Sequence, residues 1–304
     1  TSTRSTSSRR NIRDQHVIAG GVLRRLEVDR VLVGDAGALL YASDRPGLDL
    51  IGLGGYHDLP FARAGVHGLG ASLELIERIA PEDRPDAMAI YPGWWGDLPT
   101  IFGKRVASVP VFGNVICGGS EKVIYRADWS PLDRAGRPRS LREGERVIDE
   151  LDVADLVSEK EHRYVFPHPQ GGFVDFRVFA DPEDSERDLF DAGRVIAPGQ
   201  RETMRVEVSG QAPRLVMRTA PELKAKIDVL LGGRSVGQMT LTGLEPDRGS
   251  KRPKQAKSGV WVETSLDLPK ESPRFTELSL VGLEGAFVDF HVWIVTSGSG
   301  DSLD

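Results

Sequence analysis

The sequence predicts an α+β protein: a small α/β domain over residues 12–130, followed by an antiparallel β-sandwich of jelly-roll type over 171–297. Two observations carry this. Up to residue 91, short apolar runs and one amphipathic segment follow in β-β-α-β order, the pattern of a small α/β unit. Beyond Gly171, eight short apolar stretches recur at roughly ten-residue spacing between turn residues, as in a sandwich. The remaining segments read as a flexible linker (1–11), a connector (131–170) and a disordered tail (298–304).

Taken in order, residues 12–25 place Ile12, His16, Val17, Ala19 and Leu23 on one helical face. The Gly20-Gly21 pair weakens that helix by roughly 1 kcal/mol per glycine. Residues 30–33 and 48–53 read as buried strands. Residues 70–79 read as a helix with Leu73, Ile76 and Ile79 on one side. Residues 86–91 form a third strand, ending in the aromatic turn Pro92-Gly93-Trp94-Trp95-Gly96. Strands 106–112 and 122–126 then flank Gly118-Gly119. Residues 131–142 form a polar loop, and 144–162 a helix or an extended connector. The sandwich strands are 173–179, 202–208, 214–218, 225–231, 235–241, 260–266, 276–281 and 287–295. In the last, Phe287, Asp289, His291 and Trp293 alternate with Val288, Phe290, Val292 and Ile294, predicting one buried and one partly polar face.

Composition narrows the function. The chain of 304 residues has room for two domains. Its net charge of -6 lacks the basic footprint of a nucleic-acid binder. The single cysteine, Cys117, excludes an intrachain disulfide. No apolar run approaches the roughly 18–20 residues that span a bilayer. The opening tract, TSTRSTSSRRN, has no apolar signal-peptide core, so the chain reads as a fragment or a processed product.

The glycine-rich stretch 33–56 raises a phosphate-loop question. A dinucleotide fingerprint must open a helix, whereas Leu39-Leu40-Tyr41 reads as extended. A Walker loop needs Lys-Ser/Thr after its glycines, and none follows. The glycines then serve a bend between strands. Asp35 and Asp49 form a possible carboxylate pair, or two structural carboxylates held by Arg45 and the amides of the 44–47 turn. None of the six histidines has zinc-motif spacing. His57, beside Asp58 and near His67, is either part of a weak metal or acid–base site or a solvated loop residue. No Gly-x-Ser-x-Gly elbow occurs, and Cys117 reads as a buried thiol. Trp94-Trp95 stack on sugar rings, sit at a membrane interface or plug the end of the sheet. Trp261 and Trp293 read as core or sheet-face residues, and 247–257 as a solvated basic loop or a contact for anionic lipid heads or acidic glycans. The candidate binding set is Trp94, Trp95, Asp35, Tyr41, Arg45, Asp49 and His57, with no catalytic residue, metal or cofactor.

Val31, Val33, Asp35, Gly37, Ala38, Tyr41 and Ser43, then Arg45, Asp49, Leu50, Gly52 and Leu53, form a pattern with a known parallel. It resembles the soluble portion that follows the last transmembrane helices of bacterial GT-C-fold integral-membrane glycosyltransferases, the polyprenyl-phosphate-sugar-dependent class. Residues 11–15 and the strand 86–91 before Pro92-Gly93-Trp94 are similar too, so the resemblance covers roughly 11–130. The sandwich has a general likeness to carbohydrate-binding modules. The resemblance implies a non-catalytic accessory region on the periplasmic or extracellular face of the cytoplasmic membrane. Such a region would position a glycan or polyprenyl-linked saccharide and be joined to the membrane by a preceding transmembrane segment. The alternatives are a free-standing carbohydrate-binding module and a hydrolase using Asp35 or Asp49.

Overall fold

The computed structural model describes residues 10–133, 136–168, 174–181, 184–221, 224–242 and 262–297. The chain divides into two compact units, Thr1–Pro131 and Leu132–Asp304. Among the described residues no helix is long and apolar enough to cross a membrane. Trp261 and the basic loop 247–257 lie outside the described residues.

The first unit is built on a five-stranded sheet. Its strands are β1 (Val31–Val33), β2 (Gly47–Asp49), β3 (Ala87–Ile90), β4 (Gly103–Pro110) and β5 (Glu121–Ala127), in the order β2-β1-β3-β5-β4. β1 pairs in parallel with both β2 and β3, while β5 runs antiparallel to β3 and β4. The chain therefore leaves β1 toward β2, then crosses to the other side for β3. That reversal opens a crevice beyond the carboxyl ends of β1 and β3, where open α/β sheets bind ligands. One face of the sheet is closed by Ala19, Leu23 and Leu39 over Val31, Val33, Ala87, Ala89 and Ile124.

Two local readings are corrected here. Residues 38–43, expected as extended, form a helix (Ala38–Ser43). Leu39 and Ser43, four apart, are buried while Tyr41 faces solvent, a period that six residues are too few to display. The N-terminal helix contains a π-helical turn, Arg13–Val17, before Ile18–Arg25. The wider turn rotates the face: Gln15 and His16 both point inward, and Val17, expected inside, points out.

The second unit is a sandwich of two antiparallel sheets. One holds β13 (Val262–Asp267), β10 (Gln211–Pro221), β15 (Phe287–Ser297), β8 (Asp184–Ile196) and β7 (Val174–Asp181), in that order. β6 (Glu145–Asp152) joins it along β15. The other sheet runs β12 (Arg234–Thr242), β11 (Lys224–Leu231), β14 (Phe275–Glu284), β9 (Arg201–Glu207). Leu215, Met217, Val292 and Ile294 from the first meet Met204, Ile227, Val229 and Leu280 from the second in one core.

The 131–170 segment, read as a connector, thus supplies a sheet strand and a short helix, Leu156–Glu161, capped by the Asp155 carboxylate on the Val157 amide. β8 was not foreseen, because its sequence, DSERDLFDAGRVI, is dense in charge. The partly polar face of β15 is itself covered. Asp289, His291 and Trp293 are all buried. The Arg218 guanidinium bonds the Arg137 carbonyl and the Arg139 amide bonds Glu263, bringing the polar 136–142 segment onto this network.

Candidate functional site

At the switch point of the first unit a groove of about 670 Å³ opens, lined by Asp35, Asp49, Ile51, Leu53, Trp94 and Ile116 among others. The strand–loop–helix geometry after β1 places Asp35 in its lining. There, four elements deliver a compact polar cluster. The π-turn brings Gln15 and His16, the end of β3 brings Tyr91, and the start of β5 brings Lys122. The Tyr91 hydroxyl donates to Gln15 Oε1 at 2.9 Å and lies 3.0 Å from His16 Nε2. Asp35 Oδ2 lies 3.4 Å from His16 Nε2, 3.5 Å from the Tyr91 hydroxyl and 3.8 Å from Lys122 Nζ.

Lys122 is fully buried, and its ammonium makes no hydrogen bond among the described residues. It sits 4.2 Å from the centre of the Tyr91 ring, a cation–π contact. Burial, only partly offset by Asp35, brings its pKa down to about 8. Burial also lowers the His16 pKa, and Lys122 adds to that effect. The Cys117 thiol and Tyr91 phenol are pushed up by burial, which keeps both neutral near pH 7. The Asp35 side chain remains 42% exposed and presents its carboxylate to the groove.

The tryptophan pair splits. Trp94 is 46% exposed and lines the groove. Its indole N–H donates to the Gly118 carbonyl at 3.1 Å and its ring leans on Tyr91 at 4.8 Å, so the ring is held in place before any ligand arrives. Trp95 instead lies against the backbone of Gly34, where a Cβ would sit 2.4 Å from its ring. It packs the end of β1 and offers no face to the groove.

Asp49 lines the groove but is almost buried, with Oδ1 accepting the Ile51 amide. Arg45 and the 44–47 turn, expected as carboxylate partners, hold neither aspartate. Asp35 has His16, Tyr91 and Lys122, and Asp49 has its own loop. Among the described residues, Arg45 leaves a buried Nε without a hydrogen bond. Tyr41 is 90% exposed on its helix, and His57 is exposed with a positive φ and its ring against Tyr56. Neither lines the groove. Gln15, Tyr91 and Lys122 were missed by sequence reasoning, and His16 was seen only as a helix-face residue. They lie up to 107 positions apart (122 less 15), with no local motif to join them.

In the second unit, Asp152, Asp191 and His291 are close enough to hold a metal ion. However, His291 Nδ1 faces Asp191 at 3.3 Å and Nε2 faces Asp152 at 3.6 Å. Burial lowers its pKa, but the two carboxylates outweigh burial and raise it to about 9. The ring stacks on Trp293 at 4.8 Å. Nearby, Glu202 and Asp289 are fully buried, and the Tyr164 hydroxyl donates to Glu202. Burial pushes Glu202 up to about 7 and Asp289 upward as well, the behaviour of two carboxyls sharing one site.

The sequence matches no protein-family model and no curated protein. Among solved structures, the chain is similar to a carbohydrate-binding module, CBM36, in complex with calcium and xylotriose. That match has 12% identity and a TM-score of 0.29, and covers 48% of this chain and 99% of the module. It is also similar to the module CBM6cm-2 from Cellvibrio mixtus lichenase 5A in complex with cellotriose, at 12% identity and a TM-score of 0.30. Here 49% of this chain and 97% of that one are covered. A third is CsCBM6-3 from Clostridium stercorarium in complex with cellobiose, at 16% identity, TM-score 0.27, covering 47% and 91%. All three scores are low, and the functional reading rests on the groove itself.

Proposed function

We propose that this chain is a non-catalytic saccharide-binding region whose ligand lies in the switch-point groove of the first unit. The observation that carries it is the pinned, half-exposed Trp94 ring beside the exposed Asp35 carboxylate. An aromatic face takes the C–H face of a pyranose, and a fixed carboxylate accepts its hydroxyls. Lys122 and His16 behind Asp35 hold that carboxylate in place. The hydrolase alternative is the weaker one, because Asp49, its second carboxylate, is buried and spent on the Ile51 amide.

The setting we propose is the periplasmic or outer face of the membrane, as an accessory region of a polyprenyl-phosphate-sugar-dependent transferase that holds a glycan or lipid-linked acceptor. What supports it is that Asp35, Gly37, Asp49 and Leu53, residues of the resembling pattern, line this one groove. A carbohydrate array probed with the full chain tests the binding function. Signal on at least one oligosaccharide, lost in Trp94→Ala and reduced in Asp35→Asn, is expected. No signal, or signal untouched by Trp94→Ala, contradicts it. The setting is tested by reading the frame upstream of Thr1, where several apolar segments of about 20 residues are expected.

A further inference from the structure

A second pocket, of about 240 Å³, lies wholly within the sandwich unit and shares no residue with the groove. It is lined by Arg163, Val165, Thr203, Arg205, Phe275 and Glu277, among others. Arg163, Arg205 and Phe275 are exposed, Phe275 at 48%. Among the described residues neither Arg163 nor Arg205 takes part in an ion pair. Glu277, the one carboxylate of the lining, lies 3.9 Å from Arg201. The Arg205 guanidinium stacks on the Phe275 ring at 5.0 Å, and Arg274 flanks the same ring at 5.2 Å while paired to Glu207.

Arg163 is held there by the backbone. It follows the helix Leu156–Glu161 with φ at +51°, its amide bonded to Lys160 O and the next amide, Tyr164, to Glu159 O. This is a helix C-terminal position that glycine fills at least cost, and it carries a long cationic side chain instead.

We propose that this pocket binds the carboxylate of a single acidic sugar residue, such as a terminal uronate. Two guanidiniums outside any ion pair match a carboxylate fork, and the part of the Phe275 ring that Arg205 and Arg274 leave exposed gives the sugar an apolar wall. The volume suits one ring. A peptide adding itself as a strand is disfavoured, because the outward amides of edge strand β9 are taken: Thr203 bonds Val165 O and Arg205 bonds His162 O.

The test is calorimetric titration of the full chain with trigalacturonate, with its methyl ester and with hexaglutamate. Binding of the free acid is expected, weakening as salt is added. Arg205→Gln and Arg163→Gln should each weaken it at least tenfold, with melting temperature unchanged. Arg205→Lys should retain part of the affinity, since it keeps the charge and loses the fork. Absence of binding, equal binding of the ester, tighter binding of hexaglutamate, or insensitivity to both arginine variants would each overturn the proposal.

Discussion

Trp94 and Trp95 are adjacent in sequence and opposite in role. Trp94→Ala is expected to weaken saccharide binding at least tenfold while costing about 1–2 kcal/mol of stability, because its ring is half in water. Trp95→Ala should instead cost about 2–3 kcal/mol in urea denaturation, as a ring is removed from contact with the β1 backbone. Gly34→Ala meets the same ring from the other side. Its Cβ would lie 2.4 Å from Trp95, and overpacking of this kind costs about 1–3 kcal/mol. Lys122 makes a prediction of different sign. Its pKa is lowered, so the folded state binds fewer protons than the unfolded chain above pH 8. The Lys122 contribution to the first unit's stability should therefore rise above pH 8, opposed by the raised Cys117 thiol, and Lys122→Met should remove that rise.

At the scale of elements, what the sequence showed and what it hid have physical causes. The sandwich strands of the second half are legible where apolar residues alternate, as in β9 and β11, whose burial alternates along their length. β8 is hidden because Asp191 and Arg194, buried by pairing with Arg218 and Glu159, interrupt its buried apolar residues Leu189, Phe190, Ala192 and Ile196. The helix 38–43 is hidden by its length. The π-turn is hidden because a single inserted residue leaves no compositional trace, yet it sends both Gln15 and His16 to the site. The groove's other wall depends on Gly52, which has φ at +82° and the Ala62 amide 2.1 Å from where a Cβ would sit. Gly52→Ala is expected to destabilise the first unit by more than about 2 kcal/mol and to disturb the loop carrying Ile51 and Leu53, checked by denaturation and by loss of array signal.

At the scale of the whole chain, the two units should respond to pH in opposite senses. In the sandwich, Glu202 is raised to about 7 and His291 to about 9. Both folded-state values exceed the unfolded ones, so their stabilisation is present in full at low pH. It is lost as pH rises, from about 4.5 through 7 for Glu202 and from about 6.5 through 9 for His291. Calorimetry across pH 6 to 9 should show the sandwich transition falling while that of the first unit holds or rises. Glu202→Gln and Lys122→Met identify which transition is which, and parallel movement of both would contradict the assignment. The candidate site itself was half legible: Asp35, Asp49 and Trp94 announce themselves by type and by the motif, whereas Lys122, Tyr91 and Gln15 become a site only when four elements meet at the switch point.

The central claim is that a saccharide lies on Trp94, and the indole N–H signals of the five tryptophans report on it directly. With the Trp94 signal assigned from its absence in Trp94→Ala, the full chain is titrated with the best oligosaccharide of the array. A saturable shift of the Trp94 signal, with that of Trp293 unmoved, is the predicted result. Binding that leaves Trp94 unshifted would contradict it.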